Sequence, residues 1–172
     1  MTDGVGPQPS MHFALILQLL LLLMVANGTP VVAKRLFRDF LASPVDAGCK
    51  FIDGRALLGP SKTIRGLVLS ILLTSGFAVF TGAPWNVGAV IGATAMLADL
   101  VSSFAKRRMN LEPSAKAIGL DQIPESLLPL LVSQPLLGTT IWDIVIITII
   151  FFISELVLSR VLFVLKIRDR PF

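Results

Sequence analysis

Residues 50–66, KFIDGRALLGPSKTIRG, place Lys50, Arg55, Lys62 and Arg65 among Gly54, Gly59 and Gly66, although apolar stretches flank the segment on both sides. Cations on a backbone that glycine leaves free to approach a bulky anion are the makings of a phosphate site. Gly54, Gly59 and Lys62-Thr63 come close to a P-loop, but Pro60 and Ser61 intrude before the lysine and no strand–loop–helix pattern surrounds them. A P-loop is therefore excluded.

A second polar pattern lies further on. Asp99, Ser102, Ser103, Lys106 and Arg107 recur at the spacing of one helix face, which Gly88, Gly92 and Ala95 continue with small residues suited to close helix packing. Asp99 stands roughly 10 Å along the axis from Lys106. An ionised carboxylate at membrane depth costs about 2.5–3.5 kcal/mol on insertion scales, so something must compensate it. A metal ion is favoured because the stripe opens on a basic loop; a buried ion pair with Lys or Arg from a neighbouring helix is the plainer alternative. In Asp121-Gln122-Ile123-Pro124-Glu125 the aspartate suits an N-cap and Glu125 the positive end of a helix. If Asp121 instead joins Asp99 at one basic mouth, few carboxylates and many cations make the pattern of a magnesium–nucleotide site. Cys49 and His12 are each alone in the chain. That excludes an internal disulfide and a zinc or iron site, and leaves a metal held by oxygen. Glu155 faces a similar burial cost, and no partner for it can be named.

The elements that must position these groups are transmembrane. Of 172 residues, 54% are hydrophobic, and the mean hydropathy is +0.81, far above a soluble domain. The apolar runs predict an all-α integral membrane protein, a single domain over 1–172, with five transmembrane helices at about 11–32, 66–83, 85–104, 123–137 and 141–165. The first run is read as a helix rather than a cleaved signal peptide, because residues 1–10 hold no basic residue. Asn27 and Pro30 interrupt it near its far end, where Asn27 either faces the headgroup region or serves as a helix-end hydrogen bonder. Pro124, Pro129 and Pro135 predict a bent fourth helix whose freed carbonyls find partners in the bundle. Within the loop 33–65, Lys34–Leu41 has the i,i+4 pattern of a short interfacial helix, and Asp53-Gly54 marks a hairpin-like turn. That loop, the loop 105–122 and the C-terminal end contain all 15 Lys and Arg residues. Five spans put these three segments on one side, so the positive-inside rule predicts two basic cytoplasmic loops, an external N-terminus and a cytoplasmic C-terminus.

The motifs taken together resemble the archaeal CDP-archaeol synthase family, a membrane branch of the CTP-dependent phosphatidate cytidylyltransferases. The resemblance spans nearly the whole chain: Asn27 with Pro30; Asp53-Gly54-Arg55, Gly59, Lys62-Thr63 and Arg65-Gly66; Asp99-Leu100 with Ser102, Ser103, Phe104, Lys106, Arg107 and Arg108; and Asp121-Gln122 with Pro124. Ala98 stands where a glycine is expected, a change that bears on packing more than chemistry. The lysine–aspartate pair of bacterial and eukaryotic relatives has no counterpart in the second loop.

The resemblance implies transfer of CMP from CTP to 2,3-di-O-geranylgeranylglyceryl phosphate at the cytoplasmic face of the cell membrane. It implies Mg²⁺ on Asp99 and Asp121, with Lys62, Arg65, Lys106 and Arg107 stabilising the developing pyrophosphate. Asn27, Arg55, Thr63 and Ser102 complete the expected nucleotide and phosphate contacts. The expected partners are CTP, the ether-lipid phosphate and the bilayer, and no nucleic acid. A CTP-dependent polyprenol kinase would use the same nucleotide and metal. A small-solute carrier would also have broken helices and an intramembrane aspartate, but no inverted halves are found and the charge gathers at one face.

Overall fold

The computed structural model describes residues 9–111 and 117–164. The basic residues Lys116, Lys166, Arg168 and Arg170 lie outside the described residues. Among the described residues five α-helices follow one another: α1 (Pro9–Phe37), α2 (Ile64–Phe80), α3 (Trp85–Arg108), α4 (Gln122–Leu137) and α5 (Ile141–Val164). Phe13–Phe37, Trp85–Arg108 and Ile141–Val161 are long and apolar enough to cross a membrane. The helix α2 is apolar and shorter, with 17 residues.

Local chemistry explains where the helices begin and end. The N-cap of α2 is Thr63, whose hydroxyl accepts the N–H of Gly66 at 3.2 Å. A tight turn with Gly82 at φ 83° ends it before Pro84 opens α3. Gly138, left-handed at φ 64°, closes α4 by donating to the carbonyl of Gln134. Thr140 and Asp143 then cap each other's backbone N–H to open α5.

The prolines fix side-chain partners between helices. Pro30 has no N–H for the carbonyl of Ala26 four residues back, and Ser70 Oγ on α2 donates to that oxygen at 2.7 Å. Pro124 leaves the carbonyl of Leu120 in the same position, and Ser102 Oγ on α3 donates to it at 2.9 Å. Each bond docks one helix on another where a proline would otherwise strand an acceptor.

In the bundle, α2 packs on α1 and α3, while α4 lies between α3 and α5. Leu19, Leu22 and Leu23 of α1 meet Ile91 of α3, Leu130 of α4 and Ile144, Ile147 and Phe151 of α5 in the main core. Gly88 and Gly92 turn toward α2, and a Cβ on Gly88 would stand 2.7 Å from the Cα of Ser75. The small-residue face expected of α3 is therefore where the backbones of α2 and α3 meet.

Two local expectations are corrected. The interfacial helix over 34–41 does not exist as a separate element: Lys34–Phe37 completes α1, and the chain then turns, with Arg38 and Leu41 at φ 44° and 51°. The helix in the second apolar run, α2, ends at Phe80 rather than reaching residue 83, because Thr81–Pro84 form the turn. The hairpin-like turn is present: Lys50 and Ala56 form an antiparallel bridge, and Phe51 N donates to Arg55 O at 2.8 Å around Gly54.

Candidate active site

The helices alternate direction, so the far ends of α1 and α3 meet the beginnings of α2 and α4. The loop from α1 to α2 lies over this end and delivers Lys62 just before α2 starts. Lys62 Nζ reaches both carboxylate oxygens of Asp99 on α3, at 2.5 and 2.6 Å. Asp99 thus has the ion-pair partner offered as its plainer reading, drawn from the glycine-rich loop rather than from another helix.

Asp99 has a second neighbour. Glu125, on the first turn of α4 and only 7% exposed, presents its carboxyl within hydrogen-bonding reach of Asp99, and the charges of Lys62 and Glu155 act on it. Gln122, fully buried one turn earlier, donates to Glu155 at 3.3 Å and accepts the N–H of Gly119 at 2.8 Å. Glu155 therefore gains the partner that sequence reading could not name. Two acidic groups in contact, with a third nearby and one lysine between helices, form a concentrated polar centre in an otherwise apolar bundle.

Asp121 meets a different cation. It stands at the N-cap position of α4 as expected, but its side chain makes no capping bond, and Glu125 is likewise turned inward rather than spent on the helix end. Lys106 Nζ lies 2.9 Å from each Asp121 carboxylate oxygen, with hydrogen-bond geometry to Oδ2; the buried Oδ1 has no hydrogen-bond partner. Lys106 and Arg107, each 6% exposed, are buried cations at the end of the α3 stripe. The register of α4 on α3 thus sets Asp99 against Glu125 and Lys106 against Asp121, two successive pairings along one helix interface.

The remaining candidates divide sharply. Arg65 points away from Asp99: its guanidinium donates to the carbonyls of Phe40 and Arg38 and sits 5.7 Å from the centre of the Phe37 ring. There it complements the carbonyl-rich end of α1. Arg55 donates to the carbonyl of Arg108 at 2.6 Å, while Arg108 pairs with Asp53 at 2.6 Å and lies over the rings of Phe51 and Phe104. This reciprocal clamp fastens the hairpin to the end of α3. Thr63 and Ser102 serve as the cap and the carbonyl donor already described. Asn27 Nδ2 donates to the carbonyl of Leu23 at 3.0 Å, and its buried Oδ1 has no partner.

The loop has an internal anchor that its charge pattern did not reveal. Asp46, 7% exposed, accepts the N–H of Gly48 on Oδ1 and those of Leu58 and Gly59 on Oδ2. Burial opposes its ionisation, but the N–H groups of Gly59, Leu58 and Gly48 outweigh that and hold its carboxyl below the ordinary value. Asp46 follows Pro44 in an unremarkable run, PVDAG, and only a count of N–H groups needing acceptors near Gly59 would have pointed to it.

The donor set suits a hard cation. Asp99 and Glu125 offer adjacent carboxylate oxygens, and Asp121 Oδ1 is buried with no hydrogen-bond partner. Among the described residues no three His, Cys, Asp or Glu side chains form a metal cage by themselves. An oxygen-only site with so few protein ligands fits Mg²⁺, which keeps water and substrate phosphates in its shell, and fits zinc or iron poorly.

Known proteins resemble this chain over most of its length. A family model described as "CarS-like: CDP-archaeol synthase" matches residues 81–172. A CDP-archaeol synthase of Sulfurisphaera tokodaii is 35% identical over 86% of this chain and 89% of its own length. The chain belongs to the CDP-archaeol synthase family. Another synthase of that name, from Hyperthermus butylicus, is 38% identical over 58% of this chain and 60% of its own length. A solved structure described as an intramembrane enzyme for archaeal membrane lipids biosynthesis superposes with a TM-score of 0.70 at 34% identity, over 83% of this chain and 91% of that one. The match to the relative from Sulfurisphaera tokodaii thus extends well beyond the residues 81–172 that the family model covers.

Proposed function

We propose that this protein is a CTP-dependent cytidylyltransferase of the membrane, which joins CMP from CTP to an archaeal ether-lipid phosphate, 2,3-di-O-geranylgeranylglyceryl phosphate, and releases pyrophosphate. The observation that carries this reading is the pairing of Lys62 with Asp99, against Glu125, in a chain of this family. A soluble nucleotide and a lipid headgroup can meet where a basic loop closes over buried carboxylates.

The chemistry asks little of a protein base. The lipid phosphate has a second pKa of about 6, so near neutral pH it is mostly dianionic and its oxygen is already a nucleophile. That oxygen attacks the α-phosphorus of CTP; the bond from the α-phosphorus to the bridging oxygen breaks, and the electron pair leaves on pyrophosphate. The protein must hold two anions together and offset the charge that grows on the leaving group. Lys62 stands at the carboxylates, and its salt bridge to Asp99 can be exchanged for phosphate contacts. Lys106, held by Asp121, and the buried Arg107 add positive charge along the same helix interface. Arg65 and Arg55, committed to backbone carbonyls, keep the loop in place and act on the substrate indirectly. Asp99 and Glu125 would hold Mg²⁺, with water and substrate phosphates completing its shell, while Asp121 stays paired with Lys106. When bound, that ion offsets charge on the phosphate oxygens.

The same reading has five spans, with α2 and α4 completing the crossings that the longer helices make, and the loops 33–65 and 105–122 in the cytoplasm. Supporting it, the cationic groups of Lys62, Arg65 and Lys106 interact with residues gathered at one end of the bundle.

Purified protein given the ether-lipid phosphate, Mg²⁺ and CTP labelled at either the α or the γ position provides the test. Label from the α position should pass into the organic phase, with pyrophosphate released. Label from the γ position entering lipid, with CDP released, would indicate a kinase acting on an alcohol. No transfer from either position would leave the carrier reading in force.

A further inference from the structure

We infer that Asp46 is a positioning residue for Lys62: its buried carboxylate fixes the chain at Leu58 and Gly59 so that the lysine is presented to Asp99. The inference rests on the reading of Lys62 and Asp99 as part of the reaction site. Two stretches of the loop run side by side here. Val45 N donates to Lys62 O at 2.8 Å, Ile64 N donates to Ser43 O at 3.0 Å, and Pro44 and Thr63 form an antiparallel bridge. These bonds hold the lysine backbone on its far side. The near side is held by Asp46, whose Oδ2 accepts the N–H groups of Leu58 and Gly59, each at 2.9 Å.

Gly59 sits at φ 96°, where a side chain is strained, and its carbonyl accepts the N–H of Lys62 at 3.3 Å. Leu58, Gly59 and Lys62 therefore form one turn, and Asp46 closes it. Gly48 N on Oδ1, at 3.0 Å, keeps the carboxylate from rotating away. Charge-assisted bonds from backbone N–H groups to a carboxylate are stronger than neutral ones, and a buried N–H left without an acceptor is costly. Lysine needs such a frame because its four-carbon stem has no preferred fork geometry of its own. With its Cα free to drift, Nζ would still be drawn to Asp99 but would lose its fixed place relative to a bound phosphate.

An amide at position 46 tests this with little change in shape. Whichever way Asp46→Asn turns, an NH₂ group faces N–H donors on one side, so at least one of the three bonds is lost. We expect the variant to lower kcat for CMP transfer on the order of 10²-fold, the scale set by misplacing a catalytic group by about 1 Å. In a Lys62→Ala background the same change should cost no more than about twofold further, because a residue acting through another has nothing left to act on.

Two readouts do not need turnover. In detergent-solubilised protein, trypsin cleavage after Lys62 should quicken by about tenfold or more in Asp46→Asn as the turn opens. The melting temperature of the bundle should stay within about 2 °C, since the lost bonds lie outside it.

Losses that simply add in the double variant, an unchanged trypsin rate, or collapse of the bundle would each overturn the inference. A wild-type protein without CMP transfer would instead remove the functional reading, and the trypsin rate would then decide alone whether Asp46 holds Lys62.

Discussion

Glu125 shows how much the role of a side chain depends on what it faces. Near the start of a helix, a glutamate is ordinarily explained by the helix dipole. Here it is buried against Asp99, where two carboxylates are hard to accommodate without a cation shared between them. Asp99→Asn and Glu125→Gln should each reduce CMP transfer by about 10²-fold or more and raise the Mg²⁺ concentration needed for half-maximal rate. Steady-state assays across a magnesium titration decide this. A Glu125→Gln enzyme with an ordinary rate and magnesium dependence would return that residue to a structural role. Asp121→Asn makes a useful contrast, because it leaves Lys106 buried with a weakened partner and so should also lower thermal stability.

Among the elements, α3 does two jobs with two ends. Its first half is small so that α2 can approach, and its second half carries Asp99, Ser102 and Lys106 toward the loop and α4. The approach is close: a Cβ on Gly88 would meet Thr74 O at 2.5 Å and Ala78 Cβ at 2.7 Å, and one on Gly92 would meet the Cα of Ile71 at 3.0 Å. Backbone atoms give way less readily than side chains, so Gly88→Ala should destabilise the bundle by about 1–3 kcal/mol. Gly76 on α2 has nothing within 4 Å of its added Cβ. Gly76→Ala should therefore be neutral or gain up to about 1 kcal/mol from helix propensity. Thermal melts of both variants in one detergent test the pair. Equal melting temperatures would mean that the α2–α3 contact is looser than the geometry indicates.

For the whole molecule, the decisive property is that the described cations of the loop and α3 gather at one end of the bundle. The C-terminal ends of α1 and α3 and the N-terminal ends of α2 and α4 are tied together through Arg65, Lys62 and Lys106, so cations that are scattered in sequence converge in space. The exposed Cys49 lies in the loop over that end and is the only thiol of the chain. With the proposed orientation, a membrane-impermeant maleimide should label it in inside-out vesicles and spare it in right-side-out vesicles. The reverse pattern would invert the topology and remove CTP access from the cytoplasm.

Composition and charge placement alone determined that this is a helical membrane protein whose cations cluster around a glycine-rich loop. A long apolar run and a basic loop reflect the solvent on each segment, and that needs no knowledge of neighbours. The spacing from Asp99 to Arg107 likewise defined a helix face, because helical periodicity is local. What faces Asp99 was not local. The register of α4 on α3 decided that Glu125, rather than Asp121, stands against it. The path of the loop decided that Lys62 reaches it while Arg65 turns to the end of α1. Asp46 became visible only once folding had brought the N–H groups of Leu58 and Gly59 to its carboxylate, since a residue type says what bonds it can make and only the tertiary structure says with whom.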